Sequence, residues 1–299
     1  MITAATAVLK ILIYGISFSA FLGGLAASVN YSLSFLIIQW RHFTLATKQP
    51  AMTAASLARL VADTAEGAER LRLEIRNILK SQLVAVGGNV LAVVPMALLI
   101  CQLHEMVFGR ELVATEKAHE TLRSFSLMGL TPVYAVWTGV LLFLSSQISG
   151  WAHHWMLARR LPQAIAGNRN FRRILNEDRA RFLAEAVRNL TAPVAANVSL
   201  GFLLGMVPVF GKFLGLPLDV RHITLSSGSV AVALFTLGIE GLKTSAFLLS
   251  VGGLLTMVVF NIGVSFSLAL VVALRSKRAS LSTSLQVLKS VAWSTSNRK

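Results

Sequence analysis

Apolar and polar stretches alternate along the whole chain at a length that suits a bilayer rather than a soluble core. The stretch 31–54, YSLSFLIIQWRHFTLATKQPAMTA, sets the pattern. It begins inside an apolar run and leaves it through Gln39, Trp40, Arg41 and His42. It then becomes small and polar around Thr47, Lys48, Gln49 and Pro50. A Trp beside an Arg at the end of an apolar run is an interfacial anchor, because both side chains favour the headgroup level. Apolar runs recur at 11–39, 83–103, 127–148, 192–214, 225–243 and 245–274. A helical crossing needs roughly 20 apolar residues. The expected fold is therefore all-α, a polytopic transmembrane helix bundle of about 5–6 membrane segments with amphipathic cytoplasmic helices, since only helices and closed barrels satisfy their backbone in lipid. It forms one integral membrane domain over 1–299.

Several runs carry internal detail. The first is longer than one perpendicular crossing, which predicts either a tilted helix or a break near Gly23-Gly24 or Asn30. The connection 41–82 contains an amphipathic stretch with Leu57, Val61, Thr64, Ala68, Leu71, Ile75 and Ile78 on one stripe, the three-and-four spacing of a helix face. Pro95 predicts a kink in the second run. The connection 149–190 ends in a second amphipathic pattern, with Phe182, Leu183, Ala186, Val187 and Leu190 on one side. GFLLG at 201–205 has the small-xxx-small spacing that lets two helices touch backbones.

Composition agrees with a membrane setting and then adds an orientation. The chain is 55% hydrophobic and 14% charged, against about 25% charged in soluble domains. Its net charge is +15. Of 28 Lys and Arg, seven lie in 41–82, eight in 149–190 and six in the tail 275–299. Short basic loops stay in the cytoplasm, so 41–82, 149–190 and the tail are expected there. A cytoplasmic tail requires an even number of crossings after residue 190, whereas three runs follow. The expectation is that 225–243 is re-entrant or broken. The one cysteine, Cys101, lies in an apolar run and reads as a packing residue. No signal peptide with a cleavage site is recognisable.

The candidate chemistry is sparse. GMVPVFGK at 205–212 is not a phosphate loop: five residues separate its glycines, Phe213 stands where Ser or Thr is needed, and it lies in a span. His153 and His154 are adjacent, and adjacent helical residues point about 100° apart, so they do not form a metal pair. No metal and no cofactor is implied. Asn30, Asn89, Asn197 and Asn261 are intramembrane amides and read as interhelical hydrogen-bond partners. Glu240 and Lys243 form the one charged pair flanked by apolar sequence on both sides; they are either a short surface turn or a buried functional pair. The loop LDVRHITLSSG gathers Asp219, Arg221 and His222, and with Lys48, Gln49 and Pro50 it is a candidate functional loop. Arg169, Arg172, Arg173, Arg179 and Arg181 are candidate anion or DNA contacts.

Four blocks, HFTLATKQPAMTAASLA (42–58), VGGNVLAVVP (86–95), LGLPLDVRHITLSSG (214–228) and VSFSLALVVALRSK (264–277), occur in order over almost the whole chain. Together they resemble the bacterial site-specific recombinase transmembrane family of the gonococcal crossover recombinase type. The resemblance implies the bacterial inner membrane and DNA strand exchange. It also implies a longer protein with a polar N-terminal region, of which this chain would be the membrane part. The residues themselves do not supply that chemistry. A tyrosine recombinase needs a cytosolic Tyr beside an Arg/His cluster, but Tyr14, Tyr31 and Tyr134 all lie in or beside spans. A metal nuclease needs clustered carboxylates, and the 13 acids are scattered. Three readings follow: a structural or accessory membrane protein that binds a protein partner through its cytoplasmic loops, a membrane-tethered DNA-binding or recombination protein, and a transporter or channel. The bilayer is a partner in each.

Overall fold

In a computed structural model, residues 18–41 and 65–276 are described, with Thr6, Val8, Leu9 and Ile13. The described residues are all-helical and contain no strand. The helices are α1 (Ala20–Trp40), α2 (Ala65–Phe108), α3 (Thr115–Ser124), α4 (Thr131–Ala158), α5 (Leu161–Gly167), α6 (Arg169–Leu175), α7 (Glu177–Leu214), α8 (Ile223–Leu242) and α9 (Ser245–Ser276). Six of them, α1, α2, α4, α7, α8 and α9, are long and apolar enough to cross a membrane.

The observed boundaries correct several expectations. The run 11–39 is not one helix. α1 starts at Ala20, where the Ser19 hydroxyl caps it by accepting the Leu22 N–H, and it passes unbroken through Gly23, Gly24 and Asn30. Thr6 lies against its middle: the Thr6 hydroxyl donates to Ser34 at 2.7 Å, and Asn30 donates to the Thr6 carbonyl at 3.0 Å. A single helix would hold Thr6 and Ser34 about 42 Å apart. The connection before the second span merges with that span from Ala65, so that α2 runs unbroken through Pro95 to Phe108. The amphipathic end of 149–190 likewise merges with the next span as α7. An apolar stripe becoming an apolar cylinder involves no change of backbone period, so nothing in either sequence ends the helix. Leu57, Val61 and Thr64 lie outside the described residues.

Helix directions follow from side-chain contacts. α1 and α7 are antiparallel: Ser32 meets Gly201, Ser28 meets Gly205, and Gln39 hydrogen-bonds Asn197. Ser149, late in α4, donates to the Ala192 carbonyl in α7 at 2.7 Å. α4 and α9 are parallel, because Thr131 packs on Gly253 while Gly139 packs on Phe260 and Val264. The chain therefore leaves α7 and enters α9 at the same end of the bundle. Between them it dives inward and returns. Leu225 joins a core cluster with Leu141, Leu142, Leu200 and Leu204, deep between α4 and α7. Further along α8, Thr236 donates to the Val113 carbonyl in the α2–α3 connection at 3.2 Å. α8 also carries a break at Gly238 (φ 60°, ψ −158°), a conformation essentially restricted to glycine.

This arrangement sorts the charges. Arg41, Arg159, Arg160, the α6 arginines and Arg275 lie at one end of the bundle, and Arg110, Lys117, Arg123, Lys212 and Lys243 at the other.

Two outcomes check this fold. A Cβ on Gly205 would stand 2.7 Å from the Ser28 Cα, so Gly205→Leu forces α1 and α7 apart. Overpacking of this kind costs about 1–3 kcal/mol, read as a lowered unfolding midpoint in detergent. In vesicles, Asn168→Cys and Arg275→Cys are labelled by an impermeant thiol reagent from the same face and Glu240→Cys from the opposite face, with little background from buried Cys101.

Candidate functional site

The inward excursion starts with a helix stop. Gly215 takes the left-handed conformation (φ 67°), and the Leu216 N–H reaches back to the Gly211 carbonyl at 2.8 Å. Only a residue without Cβ takes that cap cheaply, and Pro217 cannot continue a helix. Gly211 lets the loop lie close, since a Cβ there would stand 2.8 Å from the Leu218 Cβ.

The loop delivers Arg221 to the middle of the bundle. The Arg221 backbone N–H donates to the Thr138 hydroxyl at 2.8 Å, and its carbonyl accepts from Asn261 Nδ2 at 3.1 Å. Asn261 lies sixteen residues into α9, about 24 Å along its axis. Both backbone groups of this non-helical residue are thereby satisfied at mid-depth, where a lone polar group costs several kcal/mol. The side chain turns back toward the excursion's own end of the bundle. Nη1 pairs with Asp219 Oδ2 at 2.8 Å, Nη2 donates to the Ser124 carbonyl at 3.3 Å, and the guanidinium stacks over Phe125 (4.7 Å) and Tyr134 (5.4 Å). Arg221 is 11% exposed and Asp219 38%. His222, the N-cap of α8, follows, and Thr224, Ser226 and Ser227 lie in the buried first half of that helix.

Of the residues singled out from sequence, Asp219 and Arg221 are thus paired, and His222 follows them as the buried N-cap of α8. Glu240 and Lys243 do meet, at 2.6 Å, but they are 81% and 65% exposed on one turn at the α8 end, so the buried-pair reading gives way to the surface turn. Arg169, Arg172, Arg173, Arg179 and Arg181 are all exposed; Arg172 (3.9 Å) and Arg181 (2.5 Å) share Glu177. Lys48, Gln49 and Pro50 lie outside the described residues. Among the described residues no three His, Cys, Asp or Glu side chains gather as a metal site.

The sequence reading missed Thr138, Ser124 and Phe125 as partners of Arg221. Asn261 did stand out, as an amide inside an apolar run, but nothing local says which carbonyl it serves.

A family model described as site-specific recombinase matches residues 1–299. The chain belongs to the site-specific recombinase family. No curated protein and no solved structure matches it. Of the Tyr, Arg and His that a strand-exchange site needs, Tyr134 and Arg221 do meet, with Tyr134 offering its ring face to the guanidinium, and His222 is buried at the next position of the chain.

Arg221→Gln leaves the Asp219 carboxylate unpaired. Breaking a buried pair costs about 3–5 kcal/mol, and less is expected here because Asp219 is partly solvated. The unfolding midpoint should fall more for Arg221→Gln than for Asp219→Asn. Glu240→Gln should leave it unchanged, because an exposed single-turn pair contributes almost nothing.

Proposed function

We propose that the chain is a non-catalytic, integral inner-membrane member of its family. In this reading the bundle is an anchor, and the basic end is a cytoplasmic docking face for a protein partner of acidic surface. One contrast supports it: exposed arginines crowd one end of the bundle, whereas Arg221 and His222 are buried and the guanidinium is taken up by Asp219 and by the Phe125 and Tyr134 rings. Arg159, Arg160, Arg169, Arg173, Arg179 and Arg188 are exposed there without an ion pair among the described residues. Exposed Phe171, Ile174 and Phe182 stand among them, the mixture of apolar anchors and Arg that recurs at protein interfaces. An excess of basic residues at one end is also what holds that end in the cytoplasm.

A second reading is a membrane tether for DNA. It is favoured by the same arginines interleaved with Phe171 and Phe182, since a basic track with aromatic side chains suits single strands.

One experiment separates them. The full chain in nanodiscs is titrated with single-stranded and duplex DNA across a salt series, beside a variant with Arg172, Arg173, Arg179 and Arg181 changed to Gln. The anchor reading expects no cleaved or exchanged product, and DNA binding that vanishes by physiological salt. It further expects an acidic protein, cross-linked to the wild type in native membranes, to be lost from the variant. The tether reading expects binding that survives physiological salt, with the variant's log–log slope shallower by roughly 3–4 for single or double strands. Strand cleavage by the wild type overturns both.

A further inference from the structure

A groove of about 530 Å³ opens between α5 and α7 at the basic end of the bundle. Gln163 and Ala166 line it from α5, and Arg181, Ala184, Glu185 and Arg188 from α7. The helices beside it set its depth. Ser149 on α4 bonds the Ala192 carbonyl on α7, and the two helices run in opposite directions from that contact. Toward the basic end, Trp151 and Trp155 stand about 3 Å and 9 Å beyond it along α4, and Arg188 and Glu185 about 6 Å and 10 Å beyond it along α7. Both tryptophans are exposed. Exposed Trp at the end of a span marks the headgroup level of a bilayer, so Arg188 and Glu185 stand at that level.

The charges in the groove are unevenly satisfied. Arg181 is held by Glu177 at 2.5 Å. Arg188 and Glu185 have no ion pair among the described residues, although helix residues three apart are near enough to form one. The groove therefore keeps one open guanidinium and one open carboxylate. Arg188 is the deeper of the two by about 4.5 Å along the helix axis.

That order selects the occupant. The ligand needs an anionic group on the bilayer side and a cationic group farther out. A phospholipid with an ethylamine headgroup has this order, because its phosphate links the glycerol to the amine. We infer that the α5–α7 groove binds the headgroup of a zwitterionic aminophospholipid, with the phosphate on Arg188 and the primary ammonium on Glu185. The guanidinium fork matches phosphate oxygens, and a primary ammonium offers three N–H donors to the carboxylate. A lipid with an anionic headgroup and no amine leaves Glu185 without a partner, and a quaternary amine has no N–H to give it. The inference rests on the membrane setting of the bundle and goes beyond the docking of an acidic protein. Of the unpaired arginines on the docking face, only Arg188 lines the groove.

The test uses the full chain in a neutral detergent. Lipid retained from mixtures of phosphatidylethanolamine, phosphatidylglycerol and phosphatidylcholine with matched acyl chains is read by native mass spectrometry for wild type, Arg188→Gln and Glu185→Gln. The wild type is expected to retain phosphatidylethanolamine saturably and in preference to the other two. Arg188→Gln weakens phosphatidylethanolamine and phosphatidylglycerol alike, by about fivefold, as an exposed charge pair allows. Glu185→Gln weakens phosphatidylethanolamine by about as much and does not weaken phosphatidylglycerol. A misfolded variant cannot produce that split, because the second lipid is measured on the same protein. No preference for phosphatidylethanolamine in the wild type, or equal weakening of both lipids by Glu185→Gln, overturns the inference. Displacement of the lipid by equimolar soluble O-phosphoethanolamine overturns it as well and moves the site to a free phosphoamine. None of these readouts involves a protein partner.

Discussion

A non-helical peptide at membrane depth needs a partner for each of its polar groups, and this bundle is arranged to supply them at Arg221. In hydrocarbon no water replaces a missing hydrogen bond. Thr138 on α4 accepts the Arg221 N–H, and Asn261 on α9 donates to its carbonyl. Those two contacts hold α4 and α9 in parallel register on either side of the loop. The guanidinium then ties the loop to the α3–α4 turn through Ser124, Phe125 and Tyr134. Without them the excursion between α7 and α9 would expose unpaired backbone to lipid.

The second support is close packing of small residues. Gly201 and Gly205 on α7 admit Ser32 and Ser28 of α1 almost to backbone contact, and Ser28 and Ser32 donate to the Phe202 and Val198 carbonyls. Gly139 and Gly253 do the same work between α4, α9 and the turn at Phe125. Association in lipid relies on such van der Waals fit, since the tails are as apolar as Leu. The small residues therefore fix the helix directions, and the directions place both charged ends.

The candidate site and the proposed docking face lie at different levels of the molecule and have different physics. At the basic end, side chains are solvated, screened by salt and individually weak. At Arg221, burial makes each contact count and leaves little room for substitution. Asp219 sits between these regimes, partly exposed, and so connects the buried centre to the surface where the loop enters.

Much of this was legible from the chain alone. Helical class and spans suited to a membrane follow from run length and the low charge fraction, because lipid restricts spanning structure to a very short menu; the expected loop 215–228 is a loop only as far as His222, and Ile223 already begins α8. The GFLLG spacing and the apolar flanks of Asn261 were visible too. What only the tertiary structure decided is pairing. The sequence could not say that Asn261 and Thr138 serve the same residue, that Ser19 and not Gly23-Gly24 starts α1, or that Glu240 and Lys243 end on the surface. Each of these depends on groups brought together from distant parts of the chain, or on which of two equally good local signals the packing uses. Local period and composition carry no record of either.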